Sequence, residues 1–444
     1  MEFKLKTLTP IWTGGVEGKC DRLHETGIIG SLRWWYEALV RGLGGYACDP
    51  TSDERCQLNQ EKFHKAIKRG KTVQEALDEQ ICPACQLFGC TGWGKKFRFH
   101  IDPLNQSYAP FVIAKPDGSQ KPTFLGYYDK SGKKYEKNGG LIGEYRLTLL
   151  AQNDNQLNLI KLLLKLAANW GIGAGVQKGF GITYIEDDIQ FSNIKIPLSQ
   201  NQTPMGSYNL PLPRIDQFFF YKIPFDNGFI NKIKDIIGRN IYKTVKDLRE
   251  GKSLNNIFSD YAYVPTAPWV RRSIRRLFKD DVLRHFIMGF VKGSLKPLHL
   301  RCWRHSIIKD RKNKNRYYCT ECREGNIKEK DILEKIGSKI FVSHIYNKNA
   351  FIKAKEPRWE MKIWGWIPDL PEKIKYKRDD VKTTLQDNFN NEEFWKSCFN
   401  IDSNPVIINQ IWEMWDIKPQ ILLEDKMNFM SSEINTKEVI ENEL

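Results

Sequence analysis

An α+β protein built from two βαββαβ domains is what this 444-residue sequence predicts, and three observations predict it. The first half runs strand, helix, strand, strand, helix, glycine loop, strand, which is the ferredoxin-like (RRM-like) order. A proline-bearing stretch at 196–214, rich in Ser, Asn and Gln, is followed by a fresh strand–helix start. Cysteines gather in knuckles that suit a metal rather than disulfides, so the insertions are expected to be zinc-stapled. The expected division is a first domain at 1–195, a linker at 196–214, a second domain at 215–423 and a polar, acidic tail at 424–444.

The first strand is set by loose alternation of Phe3, Leu5, Leu8 and Ile11 with polar residues. Thr13-Gly14-Gly15 ends it, and a polar loop carries Cys20 and His24. Gly30-Ser31 offers an N-cap for a helix reaching Leu43, with Leu32, Trp35, Tyr36, Leu39 and Leu43 on one face. Arg33, Glu37 and Arg41 lie on the other face. Arg33 in a first turn opposes the helix dipole, so it is either a paired arginine or one reserved for an anion.

Cys48, Cys56, Cys82 and Cys85 then supply four thiolates, enough for one closed structural zinc; buried free thiols are the alternative. Cys90 is a spare. Beyond it Phe97 and Phe99 alternate as a strand, and Trp93, Lys95 and Lys96 stand at its glycine-flanked start. Those three suit phosphate contact and base stacking, or an ordinary hairpin entry. Strands are expected at 110–113 and 143–150 around a structureless connection at 115–140, then a Leu-rich helix at 157–170.

That helix leads into W-G-I-G-A-G-V-Q-K-G-F-G-I-T at 170–183, before a strand at 180–191. Nucleotide-binding glycine motifs sit the other way round, after a strand and before a helix, and no G-x-x-x-x-G-K-[ST] occurs. Gly171, Gly173, Gly175, Gln177, Lys178 and Gly179 therefore suit a backbone loop lying close to a large anionic ligand, or a tight turn.

In the second half, 218–221 opens a strand and 228–248 a helix. The stretch 268–293 is amphipathic, with Val270, Ile274, Leu277, Phe278 and Phe286 as its stripe. Arg271, Arg272, Arg275, Arg276 and Lys279 lie off that stripe, as a solvated face or a phosphate-gripping one. Cys302, His305, Cys319 and Cys322 form a C-x2-H-x13-C-x2-C ribbon around a basic loop at 309–316. Strands at 339–344 and 359–366 complete the second sheet.

The chain carries 69 Lys+Arg against 53 Asp+Glu, a net charge of +16, so a polyanion is the partner to expect. No signal peptide or membrane-spanning apolar run is visible, and reduced, metal-ready cysteines fit the cytoplasm. The paired acids Asp187-Asp188, Asp280-Asp281 and Asp379-Asp380 are adjacent and point apart, which disfavours a two-metal site. His24 is the one loop histidine placed for metal-free general-base work.

T-x-T-P-x-W-T-G-G at 7–15, G-I-I-G-S-L-R-W-W-Y-E-A-L at 27–39, C-P-A-C-Q-L-F-G-C-T-G-W at 82–93 and the glycine loop together resemble the RAMP superfamily of CRISPR proteins. Within it the likeness is to the first RAMP subunits of type III-B (Cmr) effector complexes, over residues 1 to about 190. The resemblance implies two ferredoxin-like domains and a subunit beside other Cmr subunits. It also implies contact with the 3′ part of the guide RNA (crRNA) and with target RNA, in antiviral defence, without catalysis. It carries RNA contact onto 171–181 with Lys178, and onto Ser31 and Arg33. The alternatives are a metal-independent RAMP endoribonuclease using His24 and a zinc-stapled scaffold that binds only proteins.

Overall fold

The computed structural model of the chain describes residues 1–15, 18, 20–109, 112–113, 123–124, 140–186, 194–198, 210–234, 261–291, 296–309, 316–328, 331–352 and 356–423. Most of the 115–140 connection, the middle of the 196–214 linker and the helix past 234 lie outside the described residues. So do Asp187, Asp188, the loop at 310–315 and the tail at 424–444. The class is α+β, with two large antiparallel sheets and four two-stranded ribbons among the described residues.

The first sheet joins β1 (Glu2–Thr7), β2 (Phe97–Tyr108), β3 (Leu141–Ala151) and β4 (Thr183–Ile185) in the order β2-β3-β1-β4. Register sets Phe3 opposite Leu147 and Leu5 opposite Tyr145, all buried. That apolar face is covered by α1 (Glu25–Gly42) and, after the short helices α2 (Gln60–Lys68), α3 (Val73–Asp78) and α4 (Pro83–Phe88), by α5 (Asp154–Trp170). The opposite face of the two central strands presents Lys4, Lys6, Glu144 and Arg146, tied in ion pairs with Glu2 and Glu186. An RNA-stacking sheet needs aromatics at such positions, and these strands have none there.

Helix α1 begins at Glu25, not at Gly30. Glycines at 27 and 30 read as a boundary, but Gly27 serves a close approach: a Cβ there would sit 2.7 Å from the Thr13 side chain. Ser31 is thus inside the helix, its hydroxyl on the Gly27 carbonyl at 3.2 Å, and Arg33 lies beyond the first turn. Arg33 therefore does not oppose the helix dipole.

The second sheet joins β5 (Phe218–Phe225), β6 (Ile340–Val342), β7 (Ile345–Asn347), β8 (Trp359–Trp366) and β9 (Trp412–Trp415). Its order is β9-β5-β8-β7, ending on Tyr263–Val264, with β6 also paired to β8. Strand β5 is buried on both faces, and alternation sorts its residues between two cores. Phe218 and Phe220, with Trp364 and Trp366 of β8, pack into the core of the first half. Phe219, Tyr221, Ile223 and Phe225 pack into a second core. That second core is shared with α6 (Ala267–Leu277), α7 (Asp281–Met288), α8 (Arg378–Phe389) and α9 (Glu392–Phe399). Trp35 stacks on Trp364 at 5.1 Å, and Trp170 meets Phe220 at 4.5 Å. The face that would be open in an isolated unit is therefore spent on docking the two halves.

Two lysines are buried in this arrangement. Lys362 of β8 reaches across to the C-terminal end of α5, donating to the Asn169 carbonyl at 3.0 Å. Lys339 donates to the Phe286 carbonyl at 2.8 Å. Burial pushes both ammonium groups down to about 7 from an ordinary value of 10.5. Between these values the unfolded chain binds the protons that the folded chain has lost, so folded-state stability rises with pH from about 7 toward 10. Below about 7 both states are protonated and the cost of burying the charge is fully present. Urea midpoints should show wild type gaining on Lys362→Met by roughly 1 kcal/mol per pH unit from pH 7 to 9.5. A gap independent of pH would contradict a neutral Lys362.

Candidate functional site

The glycine stretch follows α5 and is held on three sides. Ala174 N–H donates to the Trp12 carbonyl at 2.7 Å, and Gly181 N–H to the Pro10 carbonyl at 2.8 Å. Gly173 N–H donates to the Ser31 hydroxyl at 2.8 Å, fastening the loop to α1. The Gly179 carbonyl accepts from His344 N–H at 3.2 Å, which reaches the second half. Gly173 has φ +80, and a Cβ there would lie 2.7 Å from the Trp12 carbonyl oxygen. Gly179 has φ +101, and its Cβ would lie 2.6 Å from both Ala267 and the buried His344 ring. These glycines are needed for packing, as the tight-turn alternative holds.

The loop nevertheless presents an outer edge. Ala174 and Gln177 are exposed and Lys178 is half-buried. The Lys178 ammonium has no hydrogen-bond or ion-pair partner among the described residues. Beside this edge a groove of about 480 Å³ runs along the seam of the two halves. Thr13, Gly30, Ser31 and Trp34 form one wall, the loop from Gly173 to Gln177 another, and Phe341 with Trp364 the floor. The groove brings together Ser31, Gly171, Gly173, Gly175 and Gln177, which the sequence singled out separately, and it adds Phe341 and Trp364 from the second half. Those two belong to apolar strands that carry no local sign of a site.

His24 is the residue before α1, and its Nε2 lies 2.8 Å from Asp21 Oδ1. That hydrogen bond holds the Asp21 carboxyl below its ordinary range. The imidazole is thus already engaged by a local acid.

Other expected RNA contacts fall elsewhere. Arg33 is turned inward: Nε donates to Glu37 at 2.7 Å, Nη1 to the Gly89 carbonyl at 2.9 Å, and Nη2 reaches Cys85 Sγ at 3.2 Å. It is the paired arginine of the two alternatives. Trp93 donates to the Gln86 carbonyl at 3.1 Å and carries the Lys96 ammonium 3.5 Å over its ring. Burial pulls Lys96 below its ordinary value. Trp93 and Lys96 line a different cavity, of about 680 Å³, between the cysteine insertion and the start of α5; Lys95 lies over Phe97 at 5.8 Å. Arg271 donates to the Ile340 and Met288 carbonyls at 2.7 and 2.9 Å, and Arg275 to the Gly289 carbonyl at 3.0 Å. These two brace the chain around α7 and β6, which leaves Arg272 and Arg276 as the exposed pair on α6.

Two clusters could hold a metal. The sulfurs of Cys48, Cys56, Cys82 and Cys85 all lie within 4.8 Å of one another, with Cys48–Cys85 at 3.5 Å and Cys48–Cys82 at 3.8 Å. Tetrahedral zinc with Zn–S of about 2.3 Å sets sulfurs about 3.8 Å apart, so the donor set fits. The second cluster is His299, Cys302, Cys319 and Cys322. Cys302 and Cys319 sulfurs are 3.6 Å apart, and His299 Nδ1 is 3.4 Å from both Cys302 and Cys322. Although burial opposes it, hydrogen bonds from Ser306 and the Cys322 backbone pull the Cys319 thiol down to about 6.

The expected ligand His305 is not in that cluster. Its Nε2 meets His285 Nδ1 at 2.9 Å, and its Nδ1 donates to the Lys296 carbonyl at 2.7 Å. His299 stands as close upstream of Cys302, in H-x2-C, as His305 stands downstream in C-x2-H. Pairing of Leu298–His299 with Ile332–Leu333 turns the upstream histidine inward.

The profile of the RAMP superfamily matches residues 4–184. No curated protein matches the chain. Among solved structures, Cmr1 from Pyrococcus furiosus in its apo form is similar at 12% identity, covering 93% of this chain and 98% of that one, with a TM-score of 0.31. A chain of the type III-B Cmr-beta complex bound to cognate target RNA and AMPPnP, in the presence of ssDNA, is similar at 13% identity. It covers 87% of this chain and 98% of that one, with a TM-score of 0.36. Likeness at these scores carries no argument about the site. No helix among the described residues is long and apolar enough to cross a membrane.

Proposed function

We propose, from the premise that residues 4–184 belong to the RAMP superfamily, that this chain is a non-catalytic RNA-binding subunit of a type III-B CRISPR (Cmr) ribonucleoprotein. In this reading it works in the cytoplasm beside other Cmr subunits, holding the 3′ region of the guide RNA together with target RNA in antiviral defence. The observation that carries the reading is the glycine loop's outer edge. There a lysine whose ammonium has no partner among the described residues follows Gln177, which lines the groove, on a chain of net charge +16. The strand orders β4-β1-β3-β2 and β9-β5-β8-β7 support reading each half as a ferredoxin-like domain, at 1–195 and 215–423. Both cysteine clusters are read as structural zinc, since all four positions in each are protein ligands.

Lys178→Glu tests the reading. The variant should keep its thermal midpoint while its RNA affinity falls about tenfold, the size expected for one charged contact. The slope of log affinity against log salt should flatten by about 1. Filter binding across several RNA sequences at two or more salt concentrations checks it. Unchanged affinity would return the loop to a packed turn with no RNA role. Metal-free cleavage of RNA by the purified chain, lost in His24→Ala, would replace binding by catalysis.

A further inference from the structure

We infer that Arg33 is the built-in counter-ion of the Cys48–Cys56–Cys82–Cys85 centre, a positioning residue that fastens the metal to α1. The inference rests on the zinc reading of that cluster.

Four thiolates around one Zn²⁺ leave a net charge of about −2. Three of these cysteines are buried, and a buried charge without a partner is costly. Arg33 supplies the opposite charge. Its Nη2 lies 3.2 Å from Cys85 Sγ and 4.0 Å from Cys48 Sγ, and it is the one cation that reaches these sulfurs among the described residues. Its remaining donors are held by fixed acceptors, the Gly89 carbonyl and the buried Glu37 carboxylate. Glu37 also lies 3.7 Å from Arg41, whose Nε and Nη2 donate to the Ala47 and Cys48 carbonyls at 3.0 Å each. Positions 33, 37 and 41 share one helix face, so a single ridge of α1 grips both the first ligand's backbone and the thiolate pair.

The guanidinium's planar fork is what makes this possible. A lysine at 33 could answer one of these acceptors but not three at fixed angles. The same helix carries Ser31, which holds Gly173, so metal occupancy and glycine-loop position share one rigid element.

The test compares Arg33→Met, Arg33→Lys and the exposed control Arg272→Met in the full chain. Zinc release to a colorimetric chelator is timed, and metal content is counted by elemental analysis. Arg33→Met should lose zinc from the first centre 10–100-fold more readily, the range typical of outer-shell partners. Arg33→Lys should fall between it and wild type, and Arg272→Met should match wild type. Should Arg33→Met fail to fold, cobalt-loaded Arg33→Lys gives a second readout: its thiolate-to-cobalt absorption band should shift from wild type, which a merely structural role would not cause. Release and absorption indistinguishable from wild type in Arg33→Lys, with equal release in any folded Arg33→Met, would overturn the inference. Zinc content in Cys85→Ser equal to that of the wild type would overturn the zinc reading itself.

Discussion

Cys85→Ser should, with both clusters read as zinc sites, cost the chain one of two zinc ions and unfold the insertion between α1 and β2. The helices there are 9, 6 and 6 residues long, too short to persist on their own. What joins them is the cluster, which ties Cys48 and Cys56 of irregular chain to Cys82 and Cys85 at the start of α4. Isolated structural zinc sites supply about 10–16 kcal/mol of apparent folding energy. This insertion also packs against α1 and β2 through Leu77, Leu87 and Phe88, so a smaller loss, about 5 kcal/mol, is expected. Elemental analysis should fall from two zinc ions to one, and limited proteolysis should open new cuts within 46–96. Full zinc content with unchanged protection would refute a structural metal.

Gly179→Ala should strain the junction between the two halves. Gly179 needs φ +101, and any Cβ there meets Ala267 and His344 at 2.6 Å, on an element that cannot retreat without parting the halves. Backbone strain of about 1–3 kcal/mol adds to overpacking of about 1–3 kcal/mol. Two other glycines serve as controls. Gly44 has φ +84 with nothing near its Cβ position, so Gly44→Ala carries the strain alone. Gly30 sits inside α1 with open space around it, so Gly30→Ala should stabilise by about 1 kcal/mol. Urea midpoints of the three variants decide the matter: a loss in Gly179→Ala no larger than in Gly44→Ala would mean the junction is soft.

The three residues bear on how the chain could be read. All are glycines beside turns or helix ends in the sequence, yet one marks a close contact across the molecule, one a free turn and one an exposed helix position. Local sequence cannot separate these cases, because the deciding atoms are supplied by residues up to 165 positions away, as His344 is from Gly179. Arg33 is a parallel case. Its helix position is legible, but the Cys85 sulfur that claims it lies 52 residues on.

Element order in the first half, both cysteine knuckles and the placing of the glycine loop between α5 and β4 followed from spacing and periodicity. These are short-range properties, since alternation and 3.6-residue repeats report which side of a strand or helix is apolar. They do not report which apolar side meets which. The sequence marked 218–221 as a strand; only packing showed that its alternate residues serve two cores and dock the two halves together. Spacing pointed to His305 for the ribbon, and strand pairing brought His299 to it instead. Composition and local pattern thus settled the kinds of element and the kinds of ligand present. Tertiary structure settled which of them remain free, because a side chain is available to RNA or metal only where no other part of the chain has buried or bonded it.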